Sequence, residues 1–92
     1  MAVLAIFTVE GDPTELSQRY DAAMPKIVEV SPGTPLSHVC TTFDGGLRIY
    51  DVWESAQLLD DFAHNPRFAD AIAEAGLPEP KVDVVPVHRF NW

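Results

Sequence analysis

His38 and Asp51 lie within neighbouring strand-like runs, where charged residues are uncommon. His38 belongs to the run 36–43 and Asp51 to the run 47–54. A carboxylate beside an imidazole fixes the tautomer of the ring and raises its basicity, which makes the ring an effective general base. Aspartate is depleted in strands and costs free energy on a buried face unless it has a partner. We therefore interpret His38 as a candidate catalytic base and Asp51 as the residue that orients it.

The turn between the two runs decides how these residues meet. The sequence Asp44-Gly45-Gly46 is typical of a tight hairpin. A two-residue turn at Gly45-Gly46 sets the His38 and Asp51 side chains diagonal to each other, within possible contact. In this register one face of the hairpin carries four candidate residues: His38, Cys40, Asp51 and Trp53.

A three-residue turn gives the other register, because a slip of one residue moves a side chain to the opposite face. His38 would then share a face with Arg48 and Tyr50. That set could orient an anionic or enolic substrate, with Tyr50 as the proton donor. The sequence leaves both registers open.

Each candidate also has an ordinary structural role. His38 can be a satisfied interface residue, and Asp51 can make a purely structural bond to His38, to Arg48 or to a partner chain. We expect Trp53 to be a packing anchor first and the wall of a ligand cavity second. Cys40 is most simply a small buried apolar residue. The spacing of His38, Cys40 and Asp51 matches no known metal signature, so no metal site is predicted.

The flanking segments predict two helices and two further strands. Residues 2–9 are apolar at almost every position, as in a strand covered on both faces. Asp12 is a natural N-cap before a helix that Pro25 should kink or divide. Asn65-Pro66 should break and restart the second helix, and residues 81–88 form a last strand with valines of both parities.

The predicted helices add two aromatic residues to the candidate site. Tyr20 lies on the inward stripe of the first helix and Phe62 on that of the second. Both could roof a ligand pocket between the helices and the sheet, although either could equally be part of a plain hydrophobic core.

The order of elements is β-α-β-β-α-β over residues 1–92, a single ferredoxin-like α+β domain with a four-stranded antiparallel sheet. Two helices cover one face of such a sheet, while the first and last strands are apolar on both parities. The second apolar face is therefore a partner site, and we expect a homodimer with sheet against sheet.

Composition excludes several classes of function. The net charge of −8 repels phosphate backbones and anionic membranes, so neither nucleic acid nor a membrane surface is an expected partner. No run nears the length of a membrane span. The lone cysteine, Cys40, suits a reducing compartment, so a cytoplasmic location is expected.

Several segments resemble the dimeric α+β barrel superfamily, which includes the antibiotic biosynthesis monooxygenase-like proteins. They are Asp51-Val52-Trp53-Glu54-Ser55, Phe62, Gly76-Leu77-Pro78 and Val85-Pro86-Val87-His88. The resemblance spans essentially the whole chain and implies the dimeric barrel fold. It implies chemistry less specifically, because the superfamily hosts cofactor-free oxygenases, haem-degrading enzymes, cyclases and isomerases.

No cofactor is expected. The haem-degrading members need a Trp in the second helix and a His ten residues later, whereas this chain has Phe62 and Ile72. The sequence also lacks a Gly-rich nucleotide loop and a nucleophile elbow. Two functions remain: a cofactor-independent enzyme on a small aromatic or polyketide-like substrate with His38 as base, or a non-catalytic dimeric module that binds a small ligand or a partner protein.

Overall fold

The computed structural model describes residues 1–91, which form a four-stranded antiparallel sheet with helices packed on one face. The spatial order of the strands is β2-β3-β1-β4. This confirms the ferredoxin-like arrangement, with the second helical segment divided at Asn65-Pro66 as predicted. The elements are β1 (Val3–Glu10), α1 (Pro13–Val30), β2 (Ser37–Phe43), β3 (Gly46–Trp53), α2 (Ala56–Ala63), α3 (Pro66–Glu74) and β4 (Lys81–Pro86).

Helix α1 begins where the sequence predicts it. The Asp12 side chain accepts hydrogen bonds from the backbone N–H groups of Thr14 and Glu15. The helix then runs through Pro25 without dividing, so of the two expected outcomes, a kink or a division, the division is wrong. Pro25 lies on the exposed side of the helix, where water can satisfy the carbonyl group that loses its partner. Within residues 1–91, no helix is long and apolar enough to cross a membrane.

The hydrophobic core lies between the helices and one face of the sheet. Along β1, Val3, Ala5, Phe7 and Val9 are buried, while the residues between them are only partly covered. Helix α1 packs a stripe of buried residues against this face: Leu16, Tyr20, Ala23, Ile27 and Val30. The opposite face of the sheet has no cover within the described chain.

The hairpin adopts a register that differs from both expected ones. The turn is Asp44-Gly45, Phe43 pairs with Gly46, and His38 lies directly opposite Asp51 instead of diagonal to it. Gly46 explains this register, because it has φ +149° and a Cβ there would lie 1.9 Å from the Val9 carbonyl oxygen. Only glycine allows β1 to approach so closely, so Gly46 belongs to β3 and the turn moves one residue earlier.

Replacing Gly46 by alanine should destabilise the protein strongly, because the added Cβ meets backbone and not a movable side chain. We expect the free energy of unfolding to fall by more than about 2 kcal/mol in urea denaturation. Gly33→Ala is the matched control, since a Cβ there meets only the Trp53 ring at 3.9 Å. Its effect should stay within about 1 kcal/mol. Equal losses in the two variants would contradict this explanation of the register.

Candidate active site

Three side chains from three elements form a continuous hydrogen-bonded chain. The Nδ1 atom of His38 on β2 lies 2.5 Å from Oδ1 of Asp51 on β3. The Nε2 atom of the same ring lies 2.7 Å from the hydroxyl oxygen of Tyr20 on α1. The direct pairing of His38 with Asp51 sets the first contact, and the packing of α1 across the sheet sets the second.

The partners fix the roles of the two ring nitrogens of His38. An ionised carboxylate can only accept, so Nδ1–H donates to Asp51. In a neutral imidazole the other nitrogen then carries a lone pair, and Nε2 accepts from the hydroxyl of Tyr20. The arrangement is Tyr20 O–H to His38 and His38 N–H to Asp51. It holds the ring in the tautomer that leaves Nε2 basic.

Asp51 is the buried charged residue of this site. Its side chain is 5% exposed, whereas that of His38 is 35% exposed. Burial raises the pKa of Asp51, and the hydrogen bond and the charge of His38 offset part of that increase. The carboxylate therefore depends on His38 for its stability within the fold.

Tyr20 is held in its neutral, proton-donating form. Burial raises the pKa of its hydroxyl, and the electrostatic influence of Cys40, Asp51 and Asp21 raises it further. A neutral phenol is both a donor and an acceptor. Its oxygen therefore keeps acceptor capacity while its proton is shared with His38.

A cavity of about 340 Å³ opens beside these hydrogen-bonded side chains, between α1, the sheet and the segment that leads into β4. His38, Asp51 and Tyr20 all line it. Apolar side chains line most of the remainder: Phe7, Val9, Met24, Ile27, Val28, Ile49, Phe62, Phe68, Ile72 and Leu77. Since a cavity of about 150 Å³ holds one benzene molecule, this one is sized for about two fused rings.

The cavity opens to solvent near the loop that follows α1. Pro32 and Thr34 of this loop and Pro78 across from it line the cavity and are exposed. His38 lies on the edge strand β2 and is reached from the same solvent. A small planar molecule could therefore enter along the loop and contact the hydrogen-bonded side chains in the cavity wall.

Of the other residues predicted to bind a ligand, the structure places one in the cavity wall and two elsewhere. Phe62 lines the cavity, as Tyr20 does, and Phe62 packs against Phe68 with ring centroids 4.4 Å apart. Trp53 is not a wall of the cavity, because Phe62 covers it at a centroid distance of 5.2 Å and leaves it 1% exposed. Tyr50 faces the opposite side of the sheet, since it alternates with Ile49 and Asp51, so the register that joins it to His38 is wrong.

Trp53 supports the site from behind as a packing anchor. Its indole Nε1 is buried without a hydrogen-bond partner in residues 1–91. It lies near enough to the Asp51 carboxyl to favour the charged form, without reaching hydrogen-bonding geometry. The indole N–H therefore contributes a weak electrostatic stabilisation to the carboxylate that His38 needs.

Cys40 shares the face of His38 and Asp51 but is exposed, which corrects the expectation that it is buried. The reason is that β2 is an edge strand of the sheet. Partial desolvation raises the pKa of its thiol, and the charges of Asp21 and Asp51 raise it further, so no reactive thiolate is favoured. Among residues 1–91, no three His, Cys, Asp or Glu side chains converge as metal ligands do.

Comparison with solved structures identifies the fold. SnoaB, a cofactor-independent oxygenase from Streptomyces nogalater, matches with a TM-score of 0.64 and 18% identity over 98% of this chain and 94% of that one. The ActVA-Orf6 monooxygenase of Streptomyces coelicolor, in complex with nanaomycin D, matches with a TM-score of 0.65 and 24% identity over 97% and 89%. The chain has the antibiotic biosynthesis monooxygenase-like fold.

Other structures with the antibiotic biosynthesis monooxygenase-like fold extend the agreement. A protein from Chloroflexus aurantiacus, solved as a candidate antibiotic biosynthesis monooxygenase, has a TM-score of 0.66 and 21% identity over 99% of this chain and 98% of that one. No protein-family model matches the sequence, and a search of curated proteins finds no match. The resemblance stated from the sequence is confirmed at the level of the fold.

Within this fold, the contact between Tyr20 and His38 is the part of the site that the sequence did not predict. The helical spacing of apolar residues placed Tyr20 on the inward face of α1. That spacing did not determine where along β2 the helix packs. The two rings lie nearly end to end along their hydrogen bond, with planes 11° apart and centroids 6.3 Å apart. A polar tyrosine on an inward stripe, opposite a strand histidine, is the signal that could have suggested the pairing.

Replacing Asp51 by asparagine should stabilise the fold in a pH-dependent way. Because burial raises the pKa of Asp51 above 3.8, the folded state holds that proton more tightly than the unfolded state. The wild type therefore loses stability as the pH rises from about 3.8 through the raised folded-state pKa, and Asp51→Asn does not. The melting temperature of the variant relative to wild type should increase between pH 4 and 7, by about 4–8 °C for each kcal/mol recovered.

The exposed residue Asp70 provides the control for this measurement. Asp70→Asn should change the free energy of unfolding by less than about 0.5 kcal/mol at every pH. A wild type that gains stability over Asp51→Asn as the pH rises would mean that the bond to His38 outweighs the cost of burial.

Proposed function

We propose that the protein is a cofactor-independent enzyme that removes a proton from a small aromatic or polyketide-like substrate. His38 is the group that finally holds the proton, and Asp51 orients the ring and stabilises its positive charge. The proton abstraction leads to oxygenation, cyclisation or isomerisation of the substrate. The observation that carries the proposal is the hydrogen-bonded chain of Tyr20, His38 and Asp51 in the wall of an otherwise apolar cavity.

The position of the three hydrogen-bonded side chains beside a cavity favours catalysis over a structural role. A purely structural pair would lie in a dry packed interface, whereas His38 and Asp51 border an open cavity of ligand size. Keeping the Asp51 carboxylate buried costs free energy. Buried ionisable groups with perturbed pKa values are found mostly at functional sites, because a catalytic base needs a partner that fixes the position of its proton.

The chemistry needs no cofactor if the substrate supplies the electrons. Loss of a proton from a phenol or an enol gives an electron-rich anion, and the protein then needs only to take the proton and hold the geometry. Among the proteins of this fold, SnoaB is described as a cofactor-independent oxygenase and ActVA-Orf6 binds nanaomycin D. Both descriptions support a small-molecule substrate.

Activity should appear with 1-naphthol and dioxygen alone, without added flavin, haem or metal. The four electrons that reduce dioxygen come from 1-naphthol, which becomes 1,4-naphthoquinone; one oxygen atom becomes the new carbonyl at ring carbon 4, and the other leaves as water with the hydrogen of that carbon and the hydroxyl hydrogen. We expect His38→Ala to lower kcat by about 10²–10⁴-fold, the usual contribution of a general base. Asp51→Asn should lose less, because the amide can still accept from Nδ1–H. Oxygen consumption and quinone absorbance measure the reaction.

His64 is the matched control, because it is an exposed histidine whose Nδ1 lies 3.1 Å from the Asp60 carbonyl at the end of α2. His64→Ala should leave kcat unchanged. Unchanged turnover in a folded His38→Ala protein would refute the assignment of the base. Tight binding of aromatic ligands with no turnover of anthrones, naphthols or polyphenols would favour a non-catalytic ligand-binding module.

A homodimer is the second part of this proposal. The face of the sheet turned away from the helices carries apolar side chains on every strand and lacks a cover within the described chain. They are Leu4, Ile6, Val39, Tyr50, Val52 and Val85. A second copy of the same face would bury them and add to the small core that a chain of 92 residues can form alone.

A charge placed on this face should dissociate the dimer. We expect Val85→Asp to sediment as a monomer at micromolar concentration, because a buried unpaired carboxylate costs several kcal/mol. Leu58→Asp is the control, since Leu58 is an exposed apolar residue on α2. It should sediment like wild type. A wild type that is monomeric and folded at micromolar concentration would contradict the homodimer.

A further inference from the structure

Both ring nitrogens of His38 are already engaged. Nδ1 donates to Asp51 at 2.5 Å, and Nε2 accepts from the Tyr20 hydroxyl at 2.7 Å. A general base must lie within hydrogen-bond reach of the proton that it takes. With its basic nitrogen occupied, His38 has no free position from which to touch a substrate directly.

Tyr20 occupies that nitrogen and, like His38, lines the cavity. Its hydroxyl oxygen can accept another hydrogen bond while its own proton is donated to Nε2. The raised pKa of Tyr20 keeps the phenol neutral, so it can pass a proton but does not store a negative charge. This combination suits a relay more than it suits a nucleophile or a permanent base.

We propose that Tyr20 is the catalytic residue that touches the substrate and that it relays the substrate proton to His38. This inference rests on the proposed function and specifies how the proton leaves. The substrate O–H bond breaks and its proton joins the Tyr20 oxygen. The former Tyr20 proton moves to Nε2 of His38, and Asp51 balances the resulting imidazolium. The product is a bound substrate anion beside a neutral tyrosine, with the total charge unchanged.

The same geometry defines the substrate class. No lysine or arginine side chain lines the cavity within the described residues, and the buried carboxylate of Asp51 is its nearest fixed charge. A ligand carboxylate would meet that negative field without a counter-ion. The substrate is therefore a neutral molecule of about two fused rings with an acidic hydroxyl group as its anchor.

4-Nitrophenol tests the relay without turnover, because its phenolate absorbs at longer wavelength than its phenol. The probe is added to saturation at a pH where the free probe is mostly neutral. In the wild type, we expect the bound probe to show the phenolate spectrum. In Tyr20→Phe and in His38→Ala, it should remain a neutral phenol. Tyr50→Phe removes the chain's other tyrosine hydroxyl, on the opposite face of the sheet, and should behave as wild type.

The outcomes separate the relay from the proposed function. A neutral bound probe in the wild type would contradict proton abstraction itself, and with it the relay. A phenolate in both the wild type and Tyr20→Phe would overturn the relay alone, because His38 would then take the proton directly. Circular dichroism of each variant shows whether the fold survives, and Tyr20→Phe keeps the ring that packs in the core.

A double-mutant cycle supplies the kinetic counterpart on the oxidation of 1-naphthol. If Tyr20 and His38 act in one relay, the variant that combines Tyr20→Phe with His38→Ala should be no slower than His38→Ala alone. Additive losses in kcat, or a Tyr20→Phe variant as fast as wild type, would contradict the relay.

Binding of two naphthalene derivatives tests the substrate class. 2-Naphthol should bind at least about tenfold more tightly than 2-naphthoate at neutral pH, a difference of about 1.4 kcal/mol. Equal or tighter binding of the carboxylate would overturn the assignment of a neutral substrate, whatever the result for the relay.

Discussion

The burial of one carboxylate, Asp51, organises the site. Its side chain lies on β3, one of the two inner strands, with 5% of its surface exposed, and His38 on β2 is its hydrogen-bonding partner. An unpaired charge at this depth would cost several kcal/mol. The ring of His38 must therefore present Nδ1–H to Asp51, which turns Nε2 towards α1. The tautomer of His38 follows from the burial of its partner.

The two faces of the sheet carry different features. Alternation along β3 directs Ile49, Asp51 and Trp53 towards the helices and Arg48, Tyr50 and Val52 away from them. The helix side contains the cavity and every member of the hydrogen-bonded chain. The other side offers apolar surface, in which Arg48 lies over the Phe43 ring at 4.4 Å and donates from Nε to the Thr8 hydroxyl at 3.3 Å. A partner on that face would leave the cavity accessible.

Much of this fold follows from short-range signals. Asp12, Ser55 and Asn65 each cap a helix with their own side chains, as local pattern predicts. The shared face of His38 and Asp51 was also predictable. The observed register differs by two residues from the one expected for a Gly45-Gly46 turn, and a shift of two residues leaves each side chain on the same face of the sheet. The identity of the directly opposed pair was not, since it depends on Gly46 approaching the backbone of β1, a contact distant in sequence. The position of Tyr20 over His38 depends on how α1 packs across the sheet, which no local pattern encodes.

Trp53 illustrates the same limit from the other direction. Its type and position suggested both a packing anchor and a cavity wall, and the choice depended on whether another ring covers it. Phe62 does so, and Phe62 in turn packs edge-on against Phe7 with centroids 6.4 Å apart. Three-dimensional packing thus places Phe62 in the wall of the cavity and Trp53 behind it, near Asp51.

The fold holds His38 with a proton on Nδ1 and a lone pair on Nε2. Nitrogen-15 NMR of protein labelled in its three histidine rings tests it most directly, with His38→Ala used to assign the signals. At neutral pH, we expect Nδ1 of His38 to have the chemical shift of a protonated ring nitrogen and Nε2 that of an unprotonated one. In Asp51→Asn, the preference for this tautomer should weaken. A proton on Nε2 with Nδ1 unprotonated in the wild type would contradict it.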